Sequence, residues 1–209
     1  MTRERAGWPP RREFLGAALA LPTAVLLAGN RAAAQPRTLA PTPSCVDKGT
    51  PTPPQTAGPF FKPRSPRRTS LVEPGLGGTR IVVAGSVLST DCRPIPGALL
   101  DFWQADGRGE YDNAGFRLRG HQFTDEQGRY RLETVVPGLY PGRTRHFHVR
   151  VQAPNQPVLT TQLYFPDEPG NRGDGIFRPE LVMAVRDGEN PKAAAFDFVL
   201  AMPAPKPAG

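Results

Sequence analysis

Two tyrosines and two histidines between Glu110 and Val151 carry the chemistry this sequence is equipped to do. They are Tyr111 in Gly109-Glu110-Tyr111-Asp112, Tyr140 in Pro137-Gly138-Leu139-Tyr140-Pro141-Gly142, and the pair His146 and His148 in Arg145-His146-Phe147-His148-Val149. The chain holds only three histidines, and two of them stand one residue apart in an apolar, strand-like run. Successive side chains of a β-strand point to opposite faces, so His146, His148 and Arg150 share one face and Phe147, Val149 and Val151 the other. Two imidazoles on one face can both reach one metal ion, and two tyrosines from neighbouring loops can complete its shell. Imidazoles alone suit several divalent metals. Phenolates are hard, anionic donors and favour a trivalent ion. A free tyrosine titrates near ~10, so at neutral pH the metal must displace the phenolic proton. Ferric iron does so; zinc and magnesium do it poorly. The two-histidine, one-carboxylate pattern of ferrous oxygenases does not surround this pair. The donor set therefore points to non-haem Fe(III).

The elements that must hold these residues are strands. Short β-type runs at Arg80–Leu88, Gly97–Gln104, Tyr130–Val136, Arg145–Ala153 and Val158–Phe165 are separated by turn residues such as Pro94-Ile95-Pro96-Gly97 and Asp125-Glu126-Gln127-Gly128. No long stretch keeps a 3.6-residue apolar period. Leu181–Val185 and Phe196–Leu200 read as closing strands, after a loop rich in Gly, Asp and Pro. The expected class is all-β: a β-sandwich domain over 79–201, with six to nine strands. Residues 35–78 are expected to form an N-terminal arm, and residues 35–66 are so rich in proline that they should run extended over a surface. Residues 202–209 are expected to be a disordered tail.

The ends and the charge bound the remaining possibilities. Arg3, Arg5, Arg11 and Arg12, then the apolar stretch Phe14 to Ala28, then Arg31-Ala32-Ala33-Ala34 have the order of an export signal, with cleavage expected after Ala34. The arginine pair before Glu13-Phe14-Leu15 resembles the twin-arginine type, which points to a periplasmic or extracellular protein. As a membrane anchor the apolar run is too short, since a span needs ~20 residues. The formal charge is +7, but this segment alone holds five Arg against two Glu. No Lys/Arg run interleaved with aromatics follows, which argues against a nucleic-acid partner. Cys45 and Cys92 are the only cysteines, and in an oxidising compartment they read as one disulfide. Closing a loop of about 47 residues would contribute on the order of 4 kcal/mol. Two unpaired thiols are the other reading.

The segment Cys92-Arg93-Pro94-Ile95-Pro96-Gly97-Ala98, with Thr124-Asp125-Glu126-Gln127-Gly128-Arg129-Tyr130, is similar to many transthyretin-like sandwiches, and by itself it suggests a non-catalytic binding module. Taken together, the site segments instead resemble the intradiol ring-cleavage dioxygenases, the family of catechol and protocatechuate 3,4-dioxygenases. The matching pieces are Thr52-Pro53-Pro54-Gln55-Thr56-Ala57-Gly58-Pro59-Phe60-Phe61, Ala98-Leu99-Leu100-Asp101-Phe102-Trp103-Gln104-Ala105-Asp106, Gly-x-Tyr at Tyr111 and Leu118-Arg119-Gly120. Pro-Gly-x-Tyr at Tyr140, Gly142-Arg143 before His146-x-His148, and Thr161-Gln162-Leu163-Tyr164-Phe165 follow.

The resemblance implies the following roles. Tyr111, Tyr140, His146 and His148 bind Fe(III). A catechol-type diol loses both protons, binds the iron through its two oxygens and is cleaved with O2 to a cis,cis-muconate-type diacid. Tyr140 is the ligand expected to leave and to take one substrate proton. Arg143 stands beside the ring, where a fixed cation stabilises developing negative charge, and Gln162 lines the same pocket. The partners implied are a small aromatic diol and O2; a homo-oligomer stays open. The resemblance leaves His121 outside the ligand set. Tyr130, Tyr164 and Trp103 read as packing aromatics.

Overall fold

The computed structural model describes residues 49–186, 188 and 191–202. The expected export signal over residues 1–34, Cys45 and residues 203–209 lie outside the described residues. Among the described residues nine strands run in order: β1 (Arg80–Ser89), β2 (Leu99–Trp103), β3 (Arg119–Phe123), β4 (Arg129–Val135), β5 (His146–Gln152), β6 (Leu159–Tyr164), β7 (Ala184–Arg186), β8 (Lys192–Ala195) and β9 (Phe198–Leu200). One sheet has the order β4-β1-β8-β7, with β9 also pairing β1; the other has the order β3-β2-β5-β6. The second sheet is wholly antiparallel, whereas β8 and β9 run parallel to β1.

Period-two alternation builds the core. Leu100 and Phe102 of β2, Phe147, Val149 and Val151 of β5, and Leu163 of β6 pack against Ile81, Val83, Tyr130 and Leu132 from the first sheet. Leu100, Val83, Val149 and Leu132 are fully buried. The expected strands over Arg80–Leu88, Gly97–Gln104, Tyr130–Val136, Arg145–Ala153 and Val158–Phe165 are all present within one or two residues of the expected ends. Leu181–Val185 differs. Pro179–Leu181 is a 3-10 turn and the strand begins at Ala184, because Pro179 cannot donate to a ladder and starts a turn instead.

The other face of the β3-β2-β5-β6 sheet is unusual. Arg119, His146, His148 and Gln162 lie on it and are all buried. The arm covers them, crossing the sheet from one edge strand to the other. Gln55 N–H donates to the Thr160 carbonyl on β6, at 2.9 Å. Phe61 meets Trp103 edge-on at 5.0 Å and lies under the Arg150 guanidinium at 3.5 Å. Ser65 Oγ donates to Asp101 on β2, at 2.6 Å. At the far edge, Arg68 N–H donates to the His121 carbonyl and His121 N–H to that of Pro66. The proline-rich composition thus supplies an extended strap, and the strap turns a sheet face that would otherwise be solvated into an interior.

Candidate active site

The strand register sets four side chains in one row across the sheet. Arg119 on β3 is opposite Trp103 on β2, Trp103 is opposite His148 on β5, and His148 is opposite Gln162 on β6. Trp103 lies flat on the His148 ring, with centroids 4.9 Å apart and an interplanar angle of 6°. It is buried as the sequence suggests, but on the site side of the sheet, where it fixes the plane of an imidazole. One row along, Tyr164 is paired with His146.

The two imidazoles converge. His146 Nδ1 is 2.6 Å from the Thr144 carbonyl, so Nδ1 carries the proton and Nε2 presents a lone pair. That Nε2 stands 3.1 Å from Nε2 of His148. Burial lowers the His146 pKa to about 4, and burial, the neighbouring His146 and Arg143 lower that of His148 well below the ordinary value. Both rings are therefore neutral donors at neutral pH. His148 Nδ1 is buried without a well-formed hydrogen bond.

The tyrosines come from two loops that interlock. Asp106 ties them: its side chain accepts from the N–H groups of Arg108 and Glu110 at 2.8 and 3.1 Å, and its carbonyl accepts from those of Gly109 and Gly138 at 3.0 and 2.7 Å. The approach is so close that a Cβ on Gly109 would meet the Leu139 carbonyl oxygen at 2.0 Å, and one on Gly138 would meet Gly109 N at 2.3 Å. This explains why a glycine stands two residues before each tyrosine. After Tyr140, Pro141 and Gly142 form a tight turn closed by Arg143 N–H on the Tyr140 carbonyl at 3.0 Å. With Gly142 at φ +76°, the turn has the type II pattern of proline then glycine, which places Tyr140 and Arg143 at its two ends. Phe60 of the arm stacks on Tyr111 at 4.3 Å and meets Tyr140 edge-on at 5.6 Å. The Tyr111 ring is 6.1 Å from Tyr140 and 6.2 Å from His148, between centroids. The structure thus brings together Tyr111, Tyr140, His146 and His148.

Arg143 is held by two side chains. Its Nε donates to Asp174 at 2.8 Å and its Nη2 to Gln162 Oε1 at 2.6 Å. Gln162 Oε1 also accepts from the Tyr164 hydroxyl at 3.0 Å, and its Nε2 donates to the Thr56 carbonyl at 2.8 Å. Gln162 therefore fixes Arg143 and the arm together, and Tyr164 holds Gln162 in addition to packing. Asp174 had no signal in sequence beyond a Gly-Asp-Gly loop. Burial pushes its carboxyl up, but N–H donors from Thr144 and Ile176 and the Arg143 guanidinium outweigh this and lower its pKa. His121 lies away from the four rings, with Nδ1 2.7 Å from the Ser65 carbonyl. Cys92 is disulfide-bonded; Cys45, its expected partner, lies outside the described residues.

The donor set fits a trivalent metal. First-row metal–imidazole bonds are ~2.0–2.1 Å, so two ligands at a right angle would stand ~2.9 Å apart, and the two Nε2 atoms are 3.1 Å apart. Burial pushes the Tyr111 phenol up to about 12, although Arg143 and Arg119 pull it the other way. Only a strongly acidic cation replaces such a proton at neutral pH. Among the described residues no group of three His, Cys, Asp or Glu is arranged to hold a metal, so phenolates would have to complete the shell.

A mostly antiparallel β-sandwich thus carries a His-x-His pair, two loop tyrosines and an adjacent arginine on the outer face of one sheet. The profile of a family described as Dioxygenase matches residues 56–202. Hydroxyquinol 1,2-dioxygenase of Rhizobium sp. (strain MTP-10005) is 32% identical over 147 residues, covering 57% of this chain and 50% of the relative. Among solved structures, the dioxygenase domain of a dioxygenase carbohydrate-binding protein fusion from Streptomyces sp. SirexAA-E is 56% identical, with a TM-score of 0.71 over 73% of this chain and 99% of that one. 3-Chlorocatechol 1,2-dioxygenase of Rhodococcus opacus 1CP is 26% identical, with a TM-score of 0.67 over 72% of each chain. The chain spans about half the length of the first two curated relatives, 50% and 49%. It belongs to the intradiol ring-cleavage dioxygenase family.

Proposed function

We propose that the protein is a non-haem Fe(III)-dependent dioxygenase that cleaves a catechol-type ring between its two hydroxyl-bearing carbons. One O2 is consumed, both of its atoms enter the product, and the product is a cis,cis-muconate-type diacid. The observation that carries this reading is the convergence of His146 Nε2 and His148 Nε2 at 3.1 Å beside two tyrosine rings. Tyrosines that merely packed a transthyretin-like module would not call for that arrangement of lone pairs.

Tyr111, Tyr140, His146 and His148 would hold the iron, which when bound supplies a positive centre for the diol oxygens and activates the ring toward dioxygen. The chain's own residues do the rest. Tyr140, on the Tyr-Pro-Gly-Arg turn beside exposed Leu139, would take a proton from a substrate hydroxyl at its phenolate oxygen. Tyr111, stacked beneath Phe60, stays in place. Arg143 uses two of its five donors on Asp174 and Gln162 and keeps others to offer to negative charge developing on the ring. The arm from Gln55 to Phe61 walls the site from bulk water, which strengthens these interactions.

The proposed location follows from residues 1–34: export by the twin-arginine route to the periplasm or beyond, where a Cys45–Cys92 disulfide would be stable. Among the described residues no helix is long and apolar enough to cross a membrane. The reading is tested by supplying catechol, hydroxyquinol and protocatechuate with isotopically labelled O2. A ring-opened diacid carrying both labelled atoms supports it. No consumption of any substituted catechol by the iron-loaded protein would sink it.

A further inference from the structure

Arg119 is among the largest side chains that are almost completely buried, at 1% exposure. A charge in that position is costly unless something compensates it. Its three donor contacts all go to main-chain carbonyls: Nη1 to Phe60 at 2.5 Å, and Nε and Nη2 to Asp112 at 3.2 and 3.0 Å. The Asp112 carboxylate is committed elsewhere, to the N–H groups of Ala114, Gly115 and Arg117 at 3.0, 2.7 and 2.9 Å. An apolar side chain of the same length would fill this space without burying charge.

The two carbonyls that Arg119 holds are informative. Phe60 is the arm residue that stacks on Tyr111 and touches Tyr140. Asp112 directly follows Tyr111 in the chain. The guanidinium thus bridges the arm and the tyrosine loop, 59 and 7 residues away in sequence. It stands in the same row as Trp103, which fixes the His148 ring. It is aimed from Leu118, a buried leucine at φ +55°, a backbone conformation that leucine seldom adopts.

We infer that Arg119 is a positioning residue of this site: its planar fork clamps the arm at Phe60 to the Tyr111 loop at Asp112, and so fixes where the Tyr111 oxygen stands. The inference rests on the proposed ligand role of Tyr111. Lysine cannot replace it fully, because a compact ammonium lacks the fork that spans both carbonyls.

The test compares the full-length wild type with Arg119→Met and Arg119→Lys. Amide hydrogen exchange is measured on the metal-free proteins, and ferric iron affinity and the visible band on the loaded ones. In Arg119→Met, exchange over residues 56–61 and 111–115 should quicken at least about tenfold while β1 and β4 keep wild-type protection. Iron affinity should fall about 10- to 100-fold, as for other groups that orient metal ligands, and the visible band should shift. Arg119→Lys should fall between the two. Exchange and affinity within about twofold of wild type in Arg119→Met would overturn the inference, as would acceleration spread equally over β1 and β4. If the methionine variant does not fold, Arg119→Lys decides by the same limits. A wild type that binds no ferric iron would defeat the proposed function instead, and the exchange data would still judge the clamp.

Discussion

Gly138→Ala is the sharpest perturbation of the two-loop frame. Gly138 is not in a left-handed conformation, so alanine costs nothing in backbone strain and the effect is steric. The new Cβ would stand 2.3 Å from Gly109 N, 2.6 Å from the Arg108 carbonyl carbon and 2.7 Å from the Gly107 oxygen, where ordinary contact begins at 3.4 Å. All three are main-chain atoms and cannot swing aside. Relieving the first contact alone needs a separation of at least about 1 Å, and the loops that must separate carry Tyr111 and Tyr140. Misplacing a reacting group by ~1 Å can cost ~100-fold in rate, and overpacking of this kind costs ~1–3 kcal/mol of stability. We therefore expect kcat/KM to fall about 100-fold and ferric iron affinity about 10- to 100-fold. The assays are steady-state ring cleavage, iron titration and urea unfolding. Leu139→Ala is the control: that side chain is 58% exposed, so stability should move by no more than ~0.5 kcal/mol. Turnover and iron affinity within about twofold of wild type in Gly138→Ala would refute the interlocked-loop account.

Three further expectations follow from the geometry. Tyr140→Phe should retain much of the iron but turn over slowly, because the leaving base is lost; normal turnover would remove its acid–base role. His148→Ala should lose iron outright, read as metal content after desalting, and a full complement would mean that His148 is not a ligand. Asp106 is held below the ordinary carboxylate range: burial pushes it up, but the Arg108 and Glu110 N–H groups and the Arg108 and Arg117 charges outweigh this. Its contribution to stability is present above its unfolded value of ~3.9 and is lost as pH falls through the lower folded value. Asp106→Asn should flatten that acid limb in urea midpoints measured against pH; an unchanged slope would count against Asp106 as the tie between the loops.

Much of this site was legible because strand alternation is a local rule. His146, His148 and Arg150 could be placed on one face, and Phe147, Val149 and Val151 on the core face, without any tertiary information. The proline-rich arm was legible as extended, but not as a cover, because which sheet it crosses depends on contacts more than a hundred residues apart, such as Gln162 to Thr56. Strand β3 escaped notice since Arg119-Gly120-His121-Gln122-Phe123 has no apolar alternation; both of its faces are covered, one by the core and one by the arm. Trp103 and Tyr164 looked like packing residues because an aromatic in an apolar strand carries no sign of its register partner. Those partners turned out to be His148 and His146. Asp106 and Asp174 act through main-chain N–H groups and Arg143, interactions that leave no spacing pattern in sequence.

The central claim is a tyrosinate–ferric site open to a diol. It is tested most directly by the visible absorption spectrum of the iron-supplemented, aerobically purified protein, before and after anaerobic addition of catechol. The account predicts a broad visible band from phenolate-to-iron charge transfer that moves to longer wavelength with catechol. A colourless protein that takes up no iron even after reconstitution would contradict it, and would leave the sandwich as a binding domain.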